Sequence, residues 1–136
     1  MKVANFIILN DTQARLLWHD MEPGVKRAID GTPGNKIEDI KRYVMTASAR
    51  VVGIFDDNRI RFGSIIYMPM GPNAFIVSIE GRDIVSKQNS DKFHELMRQQ
   101  GFKSIQCLAA PAQARLWKRL EYNPVKTLLE KQLWVE

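Results

Sequence analysis

Glu80 is the residue of this chain best placed to move a proton: its carboxylate closes the largely apolar run Ala74-Phe75-Ile76-Val77-Ser78-Ile79. A strand that ends on a carboxylate sets it at the margin of a sheet, where it either accepts a substrate proton or is solvated as an ordinary strand-end charge. The other chemistry-bearing side chains are sparse. Cys107, the only cysteine, lies between Gln106 and Leu108 in an apolar run, with no neighbouring histidine and no helix start to activate it. We read it as a packing residue. A single cysteine excludes an intrachain disulfide and a cysteine-built metal site. His19 and His94 are far apart and lack the carboxylate spacing of a metal centre, so no metal is expected. Ser48, Ser64 and Ser78 have no Gly-x-Ser-x-Gly setting, which argues against a serine hydrolase. Near the C-terminus Arg115, Lys118 and Arg119 make a basic helix face, the best contact in the chain for an acidic protein partner.

The elements that must carry these residues follow from periodicity. Phe6 to Leu9 reads as a short buried strand. A helix follows, capped by Asp11 or Thr12 and buried through Ala14, Leu17 and Met21, with Pro23-Gly24 expected to interrupt it. Asp30 to Asn35 is a turn-rich connection. A second helix over about 36–47 buries Ile37, Ile40 and Val44. The period then shortens: Val51 to Phe55 and Ile60 to Tyr67 flank Asp56-Asp57-Asn58 as a hairpin, with Pro69, Gly71 and Pro72 ending the second arm. Ala74 to Glu80 forms the next strand, Phe75, Val77 and Ile79 facing one way and Ile76, Ser78 and Glu80 the other. Ser90 then caps a helix buried through Phe93, Leu96 and Met97 and stopped by Gly101. Ser104 to Ala109 is a strand, Pro111 opens a helix with Ala112, Leu116 and Leu120 inward, and Val125 to Val135 supplies a last strand. The order β-α-α-β-β-β-α-β-α-β predicts an α/β chain with a mixed sheet flanked by helices, in a single domain over residues 1–136.

This order resembles the fold of the GNAT (GCN5-related N-acetyltransferase) acyltransferases. The more specific likeness lies in Leu116-Trp117-Lys118-Arg119-Leu120-Glu121-Tyr122, set after a strand and before a last strand, which is similar to the family's Phe-Tyr-x-Lys-x-Gly-Phe segment. The resemblance implies an acyl-CoA cofactor. Its pyrophosphate would sit on a loop of the type Gln/Arg-x-x-Gly-x-Gly/Ala at a helix start, where backbone N–H groups and the helix dipole hold the anion and glycines allow close approach. The corresponding window is Arg82-Asp83-Ile84-Val85-Ser86-Lys87. Arg82 fits, whereas Val85 and Lys87 replace the small residues and Asp83 adds a negative charge. Lys87, Asn89 and Ser90 remain to meet a phosphate, with Ser86 beside them, and the backbone of Val77, Ser78 and Ile79 would hold the pantetheine arm. Binding of acetyl-CoA is therefore expected to be weak or absent.

The family's helix-head asparagine and its acid tyrosine correspond to Ala110 and Trp117. An indole N–H is no acid at neutral pH, so Trp117, like Tyr122, is expected to pack instead. Glu80 survives: by resemblance it stands where such enzymes keep the base for the acceptor amine. The runs Phe75-Ile76-Val77-Ser78, Arg82, Ser86-Lys87 and Asp91-Lys92-Phe93 are also similar to the GNAT-like internal virion protein of short-tailed phages. These features imply a binding or structural protein with a worn acetyltransferase signature, in a phage particle or at a phage–host contact. An active N-acyltransferase with an atypical phosphate loop is the alternative.

Composition is consistent with either reading. The chain has 136 residues, 45% hydrophobic and 26% charged, with a formal charge of +5 and a pI near 9.5. That balance suits a globular domain with acidic partners. Nucleic acid is a weaker candidate, because no binding motif accompanies the charge. No apolar run is long enough to span a bilayer, and Phe6 to Leu9 is too short for the apolar part of a signal peptide. The expected setting is the cytoplasm, or the inside of a virion.

Overall fold

The computed structural model describes residues 3–30, 36–81 and 86–107. Strand β1 (Asn5–Ile8) leads into helix α1 (Asp11–Ile29), then α2 (Ile37–Met45), β2 (Arg50–Phe55), β3 (Arg61–Met70), β4 (Asn73–Gly81), α3 (Lys87–Gln99) and β5 (Ser104–Cys107). The five strands form one sheet in the order β1-β2-β3-β4-β5. Neighbours are antiparallel except β4 and β5, which run parallel from Asn73↔Ser104 to Ile76↔Cys107. The sheet is mixed, as the element order predicts. Ala110, Pro111, Arg115, Trp117, Lys118, Arg119, Tyr122 and the expected last helix and strand lie outside the described residues, as do Arg82 and Val85.

Helix α1 begins one residue earlier than expected. Asn10 is its cap: Asn10 Oδ1 accepts from the Gln13 backbone N–H at 2.8 Å, and Gln13 Oε1 accepts from the Asn10 N–H at 3.0 Å. This reciprocal pair satisfies two of the donors that a helix start leaves open. Nor does Pro23-Gly24 interrupt the helix, which runs through both residues to Ile29. Pro23 and His19, the residue four positions earlier, are exposed, so the carbonyl that loses its partner can turn to water. The continuous helix buries Ala14, Trp18, Met21 and Val25, at most 4% exposed.

Two apolar layers enclose the sheet. On one face Trp18, Met21 and Val25 of α1 and Ile40 and Val44 of α2 pack on Val51, Ile66 and Val77. On the other, Phe93 and Met97 of α3 pack on Val52, Ile54, Ile65, Tyr67, Ala74 and Ile76. Strand β1 is an edge rather than a buried strand, with Ile7 50% exposed. Strand β3 continues past Pro69 to Met70, because β2 pairing ends at Tyr67 and the proline therefore needs no partner on that side. Gly71, at φ +59°, then takes the first place of the two-residue turn before Asn73, a position that calls for positive φ.

Helix α3 is capped by Ser86, not Ser90: Ser86 Oγ accepts from the Asn89 N–H at 3.1 Å. Lys92 Nζ donates to the Ala4 carbonyl at 2.9 Å and ties the helix to the strand next to it in space. Gly101 ends α3 at φ +91°, the left-handed stop expected of it.

Candidate functional site

Two β-bulges decide which side chains meet. In the β3–β4 pair, Ile66 faces Ser78 and Tyr67 faces Ile76, so Val77 is an extra residue in β4. Strict alternation would have left Glu80 on the face of Ile76, under α3. The bulge instead holds Val77 and Ser78 on the α1 face and turns Glu80 to that face too, sending Ile79 to the other. The expected grouping of Phe75, Val77 and Ile79 on one side therefore fails after Val77. In the β2–β3 pair, Ile54 faces Gly63 and Phe55 faces Arg61, leaving Phe62 as the extra residue. Arg61 and Ser64 are three positions apart and belong on opposite faces of a regular strand. With Phe62 bulged, both point toward α1.

The two irregularities converge on Glu80. Its Oε1 accepts from Ser64 Oγ at 3.0 Å and forms an ion pair with Arg61 Nη1. The Glu80 and Arg61 side chains are only 10% and 17% exposed. Arg61 Nη2 also donates to the Asp20 carbonyl at 3.1 Å, which fastens α1 to β3 three residues before the proline. Glu80 Oε2 lies against Gly24 so closely that a Cβ there would stand 2.3 Å from it. Gly24 therefore serves as the gap in α1 that admits the carboxylate.

Beside this cluster a cavity of about 500 Å³ opens at the end of the sheet, lined by Gly24, Arg27, Ala28, Phe62, Ile79, Glu80 and Gly81. Gly81 turns the chain at φ +130°, where a Cβ would meet the Phe62 carbonyl at 2.6 Å.

The remaining predicted site residues are distributed on both sides of β4. Ser78 is 5% exposed, and its hydroxyl has no hydrogen-bond partner among the described residues. Near the start of α3, Ser86 is committed to capping, Lys87 Nζ reaches Asp91 at 3.3 Å, and Ser90 Oγ lies 3.2 Å from His94 Nε2. Asn89 is 9% exposed. These four residues belong to the helix on the opposite face from Glu80. Cys107 is half-buried against the α3 layer, and burial pushes its thiol up to about 11. No group of three His, Cys, Asp or Glu side chains suited to a metal occurs among the described residues. Nor is any described helix long and apolar enough to cross a membrane. Arg61 and Gly24 were not singled out as site residues from sequence. A glycine within a helical pattern is a signal of close backbone approach; Arg61 carries no local signal.

No family model matches the chain, and no curated protein matches it. Solved structures do. Tetrahymena GCN5 superposes with a TM-score of 0.68 at 17% identity, covering 91% of this chain and 84% of that one. An aminoglycoside acetyltransferase from an uncultured soil metagenome, solved with sisomicin, gives 0.63 at 9% identity, over 90% and 91% of the two chains. The aminoglycoside N-acetyltransferase AAC(6')-Iy, solved with CoA, gives 0.60 at 12% identity, over 92% and 91%. Identities this low speak for architecture alone, and the architecture is that of the GNAT-like acetyltransferases: a mixed central sheet flanked by helices.

Proposed function

We propose that this chain is a GNAT-fold binding protein in which acetyl transfer has become weak or has been lost. The observation that carries the reading is the state of Glu80. A general base needs a lone pair open to the acceptor amine, yet Oε1 is taken by Arg61 and Ser64, and Oε2 lies against Gly24. The carboxylate so held works as a clasp between α1 and the sheet. Val85 and Lys87 in place of small residues, and Ser86 and Lys87 engaged within α3, support weak hold on a pyrophosphate. The retained role is recognition, with Arg115, Lys118 and Arg119 facing an acidic protein partner. A virion setting for that partner rests on the phage resemblance alone. Calorimetric titration with acetyl-CoA tests the reading: little or no heat is expected, and low-micromolar affinity overturns it.

One observation favours an active N-acyltransferase as a second reading, namely the cavity that Glu80 borders. In that case the acceptor amine enters there and gives its proton to Glu80 as its nitrogen attacks the thioester carbonyl and the thiolate leaves. Glu80→Gln would then lower the rate by about 10²–10⁴-fold with the fold intact.

A further inference from the structure

The lining of the cavity is chemically uneven. Phe62, Ile79 and Ala28 supply an apolar wall, Gly24 and Gly81 supply backbone, and two charged residues border it, Arg27 and Glu80. These two charges are not equivalent. Glu80 is neutralised at short range by the Arg61 ion pair and by Ser64. The Arg27 guanidinium is exposed and has no ion pair or hydrogen bond among the described residues. With Arg61 counted as the partner of Glu80, the charged side chains on and beside the lining are two positive against one negative, on a chain whose overall charge is +5. Arginines near a helix end often serve only to complement the helix dipole. Here Lys26, also in the last turn of α1, offers that complement without lining the cavity.

We infer that this cavity binds a small organic anion with an apolar body, its carboxylate held by Arg27 and its hydrocarbon part against Phe62, Ile79 and Ala28. A guanidinium suits this task because it offers paired N–H donors in one plane to a carboxylate. A cationic amine of the same shape meets Arg27 and a carboxylate already satisfied by Arg61 and Ser64. The inference goes beyond the binding reading above and has its own readout, since it holds or fails whatever the acetyl-CoA titration gives.

The test compares hexanoate with hexylamine, which share an apolar chain and differ in charge, by amide chemical-shift titration of the isotope-labelled full chain. Hexanoate is expected to give saturable shifts at Gly24, Ala28 and Gly81, and hexylamine none. Arg27→Gln, at an exposed position, should weaken hexanoate binding about tenfold. Ala28→Leu should fill the cavity and abolish the shifts while Arg27 remains in place. Equal or tighter binding of hexylamine overturns the inference and turns attention to an acceptor amine. Hexanoate binding that ignores both substitutions, or no saturable shift at all, also overturns it.

Discussion

The two faces of the sheet solve the same packing problem with different materials. Under α3 the layer from Ala4 to Met97 is apolar except for one buried hydroxyl, that of Tyr67, which has the Arg50 side chain near it. Tyr67 packs edge-on against Phe102, with ring centroids 5.9 Å apart. Under α1 and α2 the layer is equally dry around Met21, Val25 and Ile40, but toward one end it gives way to Ser64, Arg61 and Glu80. One face supplies cohesion; the other holds a charge cluster and the cavity beside it. The difference shows where a scaffold can accommodate polar groups, namely at the sheet end where strands are bulged and a glycine opens the covering helix.

Cutting into the apolar face should have the largest effect. Phe93, 4% exposed, has no polar role, so Phe93→Ala should cost about 3–5 kcal/mol in urea unfolding. A loss below about 1 kcal/mol would mean that α3 contributes little to the fold. On the polar face, Arg61→Leu should cost about 3 kcal/mol, because it strands a mostly buried carboxylate. Arg61→Leu with Glu80→Leu should return to within about 1 kcal/mol of wild type, since no charge is then left unpaired. A double variant as unstable as the single one would show that the ion pair itself, rather than the avoided penalty, holds the faces together.

Cys107 reports on the apolar face without mutation. Its thiol, ordinarily at 9.0, is pushed up to about 11 by burial. At pH 8 the folded protein should therefore react with iodoacetamide about a hundredfold more slowly than the denatured chain, which reflects its smaller thiolate fraction. The linked stability has a definite sign: it is fully present below pH 9, where both states keep the proton, and is lost as pH rises through 11. Alkylation that reaches half its maximal rate near pH 9 in the folded protein would place the thiol in water.

Gly24→Ala is the smallest and most informative change. The added methyl displaces the Glu80 carboxylate, offsetting a helix-propensity gain of about 1 kcal/mol, so a net loss of about 1 kcal/mol is expected. With Glu80→Ala in the background the same substitution should become stabilising by about 1 kcal/mol. An unchanged sign would mean that the carboxylate is free to move away.

The sequence by itself determined the element order as far as β5, the mixed sheet and most of both cores among the described residues, because periodicity records which side of an element is buried. Ile40, Val44, Phe93 and Met97 are all buried, as their spacing requires. It also carried the stop at Gly101, whose φ only glycine adopts at little cost. Caps were less legible: Asn10 and Ser86 compete with Asp11, Thr12 and Ser90, all polar and all nearby, and only the hydrogen bonds made select among them. Pro23 was misleading locally, since the cost of a lost helix bond was outweighed by the burial of Met21 and Val25 on either side of it. The candidate site belongs to tertiary structure. Alternation placed Glu80 under α3 and separated Arg61 from Ser64, and two bulges reversed both. A bulge arises from how one strand fits its neighbours, and that fit is a property of the paired sheet that neither strand carries alone.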